Sequence, residues 1–323
     1  MASGSMQVCI RRNRIHWRPS DFSPPPGPTD HLSRGGRGGI IIMNERAIAP
    51  GNAPAPGTVW FVGAGPGDPE LITVKGRGLV ERAGAILFAG SLVSETAMRW
   101  ARPDCAVADS KDMTLEQMSA WLIAQAARCE TVVRLQTGDP GLYGALIELV
   151  QPLDAAGVPI EVVPGVSSAM ASAAAAVESL TLPEVTQTVI FTRVEGRTPM
   201  PEGESLEALA AHHSTLCIFL SITLMGKVTA ALAAAGWSPD APVVVVHKAS
   251  WPGEEKIVRG TVATIQALCR EARIASQSMI IASPTLGARQ WTTLAKSKLY
   301  DASFTHRFRR ASVPAETLRQ ELP

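Results

Sequence analysis

The chain has 323 residues, of which 46% are hydrophobic and 18% charged, and its formal net charge at pH 7 is +1. This length and apolar content suffice for two ordinary domains. No run approaches the roughly 20 apolar residues of a membrane helix, and the N-terminus lacks the pattern of a secretory signal. The near-neutral charge excludes binding of nucleic acid through bulk positive charge. We expect neither a nucleic-acid nor a membrane partner.

The five cysteines are scattered singly along the chain, and none forms a CxxC pair. An odd number of isolated cysteines argues against both a disulfide framework and a structural zinc site. We therefore expect no metal site, and we expect the protein to reside in a reducing cytoplasm.

Residues 1–56 are rich in proline, glycine and serine, as in "SDFSPPPGPTD" and "APGNAPAPGT". Such composition offers little apolar surface to bury and is typical of a disordered extension. Met43 is a candidate natural start. A basic arm that touches a partner is the functional alternative.

From Thr58 onward, apolar strand-like runs alternate with segments of helical length. The strands "TVWFVG", "GAILFAG", "TVVRLQ" and "PIEVVPG" are each followed by a predicted helix, one of which begins with Thr114 and Gln117 at the spacing of a capping box. This alternation predicts an α/β domain over residues 57–183, with a mostly parallel sheet and helices on both faces.

A second set of elements follows the break at "LTLPEVTQ". Several of its strands follow one another closely, which predicts a second α/β domain with a mixed sheet over residues 184–310 and a tail over 311–323.

The first strand runs into the glycine-rich loop "GAGPGDP" (residues 63–69). A dinucleotide-binding fingerprint would need a glycine where Asp68 stands, a free helix N-terminus and an acidic end to the next strand. Instead, two prolines stiffen the loop and the next strand ends in Gly90-Ser91. A nicotinamide site is disfavoured on all three grounds, while a tight turn without a ligand stays open.

Two further loops, "TGDPGLYG" (137–144) and "VPGVSSA" (163–169), also follow strands directly. In a parallel sheet all three loops lie at the same edge, where ligands bind. Their glycines let a ligand approach the backbone closely. Together the loops predict a binding cleft.

The three loops resemble the signature loops of the tetrapyrrole methylases, a family of S-adenosylmethionine-dependent methyltransferases, over about residues 58–310. Within that family, "FAGSLV", "GRTPMPE", "HKASWPGEEKIVRGT" and "SKLYDASFTHRF" are similar to the branch that methylates C-11 of precorrin-4 or cobalt-precorrin-4. The resemblance implies S-adenosylmethionine as cofactor, bound in a cleft between the two α/β domains, and precorrin-4 as substrate. It also implies a role in cobalamin biosynthesis and a homodimer.

Residue roles carried over from the family fall into two groups. The resemblance assigns cofactor contacts to Pro66, Thr137, Gly138, Asp139, Leu142, Tyr143, Ser167, Ser168, Ala169, Leu220, Val244, Ser278 and Met279. It assigns the substrate side to Gly65, Gly67, Asp68, Arg193 and Arg197, the two arginines because a polycarboxylate substrate suits bidentate guanidinium contacts.

The implied chemistry is an in-line displacement in which the enzyme mainly positions the reactants, so no catalytic acid or base is expected. For Asp68, a turn-capping role and a ligand role stay open. Trp251 could stack on the macrocycle or simply pack.

Other functions stay open from the sequence. A methylase acting at C-20, at C-17 or on uroporphyrinogen III shares the glycine loops. A nicotinamide-dependent oxidoreductase and a non-catalytic binding module are the alternatives from other classes.

Overall fold

A computed structural model describes residues 10–11, 14–15, 56–90, 92–93, 95–294 and 296–312. The chain divides into the units Met1–Asn52 and Ala53–Pro323. In the first unit, strands β1 (Ile10–Arg11) and β2 (Arg14–Ile15) pair antiparallel. Most of the predicted N-terminal extension, including Met43, and most of the predicted tail lie outside the described residues.

Residues 58–176 form a five-stranded sheet and its helices. The strands are β3 (Thr58–Gly63), β4 (Ala85–Phe88), β5 (Ala106–Asp109), β6 (Thr131–Gln136) and β7 (Ile160–Val163). The helices are α1 (Val74–Arg82), α2 (Leu115–Ala126), α3 (Leu146–Ala155) and α4 (Ser168–Ala176). All pairings in the order β5-β4-β6-β3-β7 are parallel, which confirms the predicted parallel sheet.

The central strands of this sheet are buried on both faces. Val62 and Val133 pack with Leu79 of α1 on one face, and Phe61 packs with Leu122 of α2 on the other. Parallel strands covered by helices read as nearly continuous apolar runs, and these strands show that pattern in the sequence.

Residues 189–282 form a second five-stranded sheet. Its strands are β8 (Val189–Arg193), β9 (Thr215–Phe219), β10 (Pro242–His247), β11 (Lys256–Thr261) and β12 (Ser278–Ala282). Its helices are α5 (Leu206–Ala210), α6 (Met225–Ala234) and α7 (Ile265–Glu271). In the order β11-β10-β12-β9-β8 only β8 and β9 are parallel, so the predicted mixed sheet is confirmed.

Helix α4 follows the last strand of the first sheet but packs on the second. Ala169, Ala173 and Ala176 are buried in one apolar cluster with Val246 of β10 and Ile281 of β12. The small alanine side chains let the helix lie close to the sheet. The helix therefore carries the chain from the third glycine loop of the first sheet onto the second sheet.

Among the described helices, none combines the length and the apolar character that crossing a membrane requires. Within the same residues, no group of three or more His, Cys, Asp or Glu side chains could hold a metal ion.

Candidate functional site

The three glycine loops meet at one edge of the first sheet. They follow β6, β3 and β7, which are neighbours in the sheet. A Cβ added to Gly63 would lie 2.5 Å from the carbonyl oxygen of Gly138, and one added to Gly165 would lie 2.1 Å from the same atom. Only glycine permits this backbone packing. The predicted convergence of the loops is confirmed.

The first loop is fixed at both ends. Gly65 has a φ of +77°, and its carbonyl accepts a hydrogen bond from the N–H of Gly138 at 2.8 Å. Asp68 caps the short 3₁₀ turn Pro69–Leu71, and its Oδ1 accepts from the N–H of Glu70 at 2.8 Å. The Asp68 carboxylate therefore has the turn-capping role that the sequence left open.

Asp139 joins the second loop to the third. Its Oδ1 accepts from the N–H of Gly141 at 2.8 Å, and its Oδ2 accepts from the N–H of Gly165 at 2.9 Å. Gly138 is buried beside it, whereas Thr137 is partly exposed. The predicted contact of Asp139 with a cofactor stays a prediction, and the structure adds a positioning role.

The second loop ends in strained backbone. Tyr143 and Ala145 have φ values of +55° and +50°, in the left-handed region that non-glycine residues seldom adopt. The Gln136 side-chain amide donates to the Gly144 carbonyl. The Gln136 Oε1 atom is buried, and no partner for it lies among the described residues. Strain and an orphaned acceptor are both typical of binding sites.

The third loop leads into helix α4. The Ser167 hydroxyl caps the helix by accepting from the N–H of Ala169 at 3.3 Å. Ser168 is partly exposed, whereas Ala169 is fully buried. The predicted cofactor contact of Ala169 would therefore involve its backbone.

One edge of the second sheet carries a similar concentration of strain. Non-glycine residues with positive φ follow β9 and β10 and precede β12: Leu220 at +52°, Lys248 at +47°, Ser250 at +67° and Gln277 at +43°. The register pairs His247 with Ser278, so these strand ends share one edge. Such strain persists only where the surrounding structure imposes it, and it is commonest at functional sites.

The predicted second-half residues are divided between this edge and the interior. Leu220 is 62% exposed at the edge, and Ser278 is partly exposed there. Val244 and Met279 are 1% and 3% exposed and pack in the cluster under α4. The structure does not bring the side chains of Val244 and Met279 to the edge with Leu220.

The loop edge of the first sheet faces the strained edge of the second. The rings of Tyr143 and Phe219 lie 5.2 Å apart. The indole N–H of Trp251 donates to the Pro66 carbonyl at 3.0 Å. These contacts join loops and strand ends across a cleft. Trp251 therefore packs against the first loop, and its stacking on a macrocycle stays a prediction.

A pocket of about 420 Å³ opens beside the cleft. Its lining comprises Tyr143, Ile190, Phe191, Thr192, Arg193, Met200, Pro201, Glu204 and Leu209. Burial raises the pKa of the Tyr143 phenol, and the nearby Arg193 opposes that rise. The phenol is therefore a neutral hydrogen-bonding group at physiological pH.

The two predicted substrate arginines differ in their surroundings. The Arg193 guanidinium donates to the carbonyls of Thr198 at 3.2 Å and Pro199 at 2.7 Å, so it holds the loop after β8. Arg197 is exposed on that loop, and no ion pair or hydrogen bond joins its side chain to another described residue. Of the two, Arg197 has the guanidinium free for a carboxylate.

Ser250, Phe219 and Gln136 were missed as site residues. Each stands at or just beyond the end of a strand, which is the one signal that could have identified them. To use this signal in the second half, one must know which end of the second sheet faces the glycine loops.

Comparisons with known proteins agree with this geometry. The family described as Tetrapyrrole (Corrin/Porphyrin) Methylases matches residues 58–266. The cobalt-precorrin-4 C(11)-methyltransferase of Priestia megaterium is 48% identical over 252 residues, which are 78% of this chain and 97% of that protein. The precorrin-4 C(11)-methyltransferase of Pseudomonas aeruginosa is 42% identical over 252 residues, covering 78% and 98%.

Solved structures give the same result. The X-ray structure of a cobalt precorrin-4 methyltransferase superposes with a TM-score of 0.68 at 49% identity, covering 70% of this chain and 94% of that one. A uroporphyrin-III C-methyltransferase from Thermus thermophilus, complexed with S-adenyl homocysteine, superposes with a TM-score of 0.59 at 27% identity, covering 72% and 94%. The chain thus belongs to the tetrapyrrole methylase family.

Proposed function

We propose that this protein transfers a methyl group from S-adenosylmethionine to C-11 of precorrin-4 or its cobalt complex, in cobalamin biosynthesis. The observation that carries the proposal is the similarity to relatives named for this reaction. It extends over 97% and 98% of their length at 48% and 42% identity.

The residues of the cleft fit S-adenosylmethionine. The glycine loops present backbone groups, since side chains at Gly63 and Gly165 would collide with the Gly138 carbonyl. Tyr143 and Leu220 are 49% and 62% exposed, which leaves apolar surface at the cleft for an adenosine group. We propose that Thr137, Gly138 and the Asp139 turn hold the methionine part.

S-adenosylmethionine supplies a methyl group on a positively charged sulfur, and the departing thioether is neutral. The protein therefore has to hold the acceptor carbon, the methyl carbon and the sulfur in line, with the reacting atoms about 3–3.5 Å apart. A site shielded from water favours this step, because the sulfur loses its charge as the methyl group moves. Loops fixed to one another by backbone contacts suit such positioning.

The substrate is a polycarboxylate, and Arg197 is our candidate for binding one of its side chains. Its guanidinium lies on an exposed loop whose base is held by Arg193. A planar guanidinium can bind a carboxylate through two parallel hydrogen bonds.

Four further basic residues could also bind a carboxylate, but each has a partner within the protein. Lys75 pairs with Glu161 at 3.4 Å and Arg77 with Glu81 at 2.7 Å. Lys248 pairs with Glu254, and Arg259 with Glu178. Arg197 therefore ranks first.

The cofactor is tested first by calorimetric titration with S-adenosylhomocysteine, with NAD as the control. We expect micromolar or tighter binding of the first compound, about −8 kcal/mol or better, and no heat from NAD. No binding of S-adenosylhomocysteine to folded protein would contradict the proposal, and binding of NAD alone would favour an oxidoreductase.

The acceptor is tested next with methyl-labelled S-adenosylmethionine. Precorrin-4, cobalt-precorrin-4 and uroporphyrinogen III are offered separately, and the labelled carbon is located by ¹³C NMR. We expect label at C-11 of precorrin-4 or its cobalt complex. The substrate that is methylated faster shows whether the natural substrate contains cobalt. Label on uroporphyrinogen III alone would assign the chain to a different ring-carbon methylase.

We also propose that the protein acts as a homodimer in the cytoplasm. The support is the family resemblance of the three loops. Light scattering after gel filtration measures the mass, and about twice the monomer mass of 34.2 kDa is expected.

A further inference from the structure

The turn that follows β10 contacts the first glycine loop. This turn spans residues 248–255, and we call it the β10 turn. The N–H of Asp68 donates to the Ser250 hydroxyl at 3.0 Å, across 182 positions of the sequence. The Trp251 indole N–H donates to the Pro66 carbonyl at 3.0 Å, across 185 positions. Both bonds join the second sheet to the loop of the first.

The indole ring also packs directly on the loop backbone. A Cβ added to Gly67 would lie 2.0 Å from Cδ1 and 2.3 Å from Nε1 of Trp251. A side chain at position 67 would therefore displace either the ring or the loop. The lack of a side chain at Gly67 and the tryptophan at position 251 are complementary features of a single contact.

The β10 turn is itself preorganised. Lys248 and Ser250 are held at positive φ, and the N–H of Ser250 donates to Glu255 Oε2 at 2.6 Å. The Lys248 ammonium lies 4.6 Å from the centroid of the Trp251 ring and pairs with Glu254. Backbone strain of this kind is kept only where contacts compensate for it. The turn thus presents the indole to the loop in one orientation.

We propose that Trp251 is a positioning residue for methyl transfer, which fixes the Pro66–Asp68 segment against the second sheet. This inference rests on the proposed function. The other end of the first loop is bonded through Gly65 to Gly138 of the second loop. Trp251 therefore sets the substrate-side residues Gly67 and Asp68 relative to the second and third loops, which carry most of the first-sheet residues assigned to the cofactor. It acts through the loop backbone and does not itself take part in the chemistry.

This arrangement predicts a separation between binding and turnover. Loosening the segment affects Pro66 among the residues assigned to the cofactor, but it leaves the second and third loops joined through Asp139 and Gly165. Because these two loops carry the other assigned residues of the first sheet, cofactor affinity is largely kept. The acceptor carbon is then held less accurately, and misplacement by about 1 Å can reduce a rate on the order of a hundredfold.

The experiment compares Trp251→Phe, Trp251→Ala and Trp237→Phe. The phenylalanine variant at 251 keeps an aromatic ring but loses the N–H donor. Trp237 is the matched control, because its indole N–H donates to the Ala210 carbonyl at 2.8 Å inside the core of the second sheet. Calorimetry gives the affinity for S-adenosylhomocysteine, steady-state kinetics give kcat and KM, and circular dichroism gives Tm.

We expect kcat to fall about tenfold in Trp251→Phe and about a hundredfold in Trp251→Ala, with the S-adenosylhomocysteine affinity within about twofold of wild type. Trp237→Phe should lower Tm while its kcat at 25 °C stays at the wild-type value. Ser250→Ala, which removes the other contact to the loop, should lower kcat in the same direction.

Three outcomes would overturn the inference. Wild-type kcat in Trp251→Ala would show that the contact does not position the substrate side. Equal losses of kcat in Trp251→Phe and Trp237→Phe would reduce the effect to general stability. A loss confined to S-adenosylhomocysteine affinity would place Trp251 on the cofactor side. Wild-type protein inactive on every tetrapyrrole would instead contradict the proposed function, and this inference would fall with it.

Discussion

At the scale of single residues, Asp139 both caps the second loop and joins it to the third loop. Both carboxylate oxygens accept backbone hydrogen bonds, and one of those bonds reaches the third loop. Asp139→Ala should therefore weaken S-adenosylhomocysteine binding by tenfold or more and lower stability by about 1–3 kcal/mol, while the fold remains intact. Calorimetry gives the affinity, and urea unfolding gives the free energy.

Asp139→Asn separates the bond within the second loop from the bond to the third loop. The asparagine oxygen can keep the bond from Gly141, but its amide group cannot accept from the N–H of Gly165. We expect an affinity between those of wild type and Asp139→Ala. If Asp139→Ala bound S-adenosylhomocysteine as tightly as wild type, the cofactor pocket would have to lie elsewhere.

Arg197 should affect the substrate and spare the cofactor. Its guanidinium is exposed and has no internal ion pair among the described residues, so its removal leaves no buried partner unsatisfied. Arg197→Ala should raise the KM for the tetrapyrrole about tenfold, as loss of a hydrogen bond to a charged group predicts. Steady-state kinetics with each substrate varied in turn measure this effect.

Arg197→Lys serves as the control, because it keeps the charge and loses the planar fork. An intermediate KM is expected for it. Unchanged KM for the tetrapyrrole in Arg197→Ala would remove Arg197 from the substrate site and direct attention to the pocket beside Tyr143 and Arg193.

At the scale of elements, helix α2 shows how a short sequence pattern determines a boundary. Thr114 accepts from the N–H of Gln117 at 3.3 Å, and the Gln117 side chain accepts from the N–H of Thr114 at 2.8 Å. Thr114→Ala should lower the free energy of unfolding by about 1 kcal/mol. Urea unfolding measures the loss, and Thr114→Ser, which keeps the capping hydroxyl, should retain most of the wild-type free energy of unfolding.

The same variant should bind S-adenosylhomocysteine with wild-type affinity. Helix α2 packs through Leu122 against Phe61 and Leu149, on a part of the first sheet that the glycine loops do not use. An altered affinity in Thr114→Ala would mean that helix α2 contributes to the cleft.

The periodic elements were predictable because each carries its signal locally. The four strands quoted from the first half coincide with β3, β4, β6 and β7, and the break at "LTLPEVTQ" directly precedes the second sheet. Strand β5 was missed, because "AVAD" is short and its first residues are exposed at the sheet edge. A strand stabilised mainly by pairing with β4 leaves little hydrophobic pattern to read.

The site was predictable where it depends on the order of loops and strands. The three loops converge because they follow strands of one parallel sheet, and this prediction does not depend on how the second half of the chain folds. The packing of Trp251 on Gly67 and the burial of Val244 and Met279 under α4 depend on contacts between distant segments. No local pattern encodes these contacts, so the sequence could name Trp251 but not choose between its two roles.

At the scale of the whole molecule, helix α4 makes the two sheets interdependent. The helix begins at the third glycine loop, yet its buried alanines share one apolar cluster with β9, β10 and β12. The Tyr143–Phe219 contact and the Trp251 hydrogen bond add links across the cleft. Unfolding the second sheet alone would expose the α4 cluster to water, at a cost proportional to the apolar area. Unfolding the first sheet alone would break the contacts that Tyr143 and Pro66 make with the second half.

We therefore expect the two sheets and their helices to unfold in one cooperative transition. Circular dichroism and tryptophan fluorescence should give coincident curves, and the calorimetric enthalpy should equal the van't Hoff enthalpy.

A ligand that spans the cleft stabilises both sheets together. S-adenosylhomocysteine at about 100 times its Kd should therefore add about 2.7 kcal/mol to the free energy of unfolding and raise Tm by roughly 5 °C or more. NAD at the same concentration is the control and should leave Tm unchanged. Two separate transitions, with S-adenosylhomocysteine shifting only one, would mean that α4 does not couple the sheets and that the ligand contacts one side of the cleft alone.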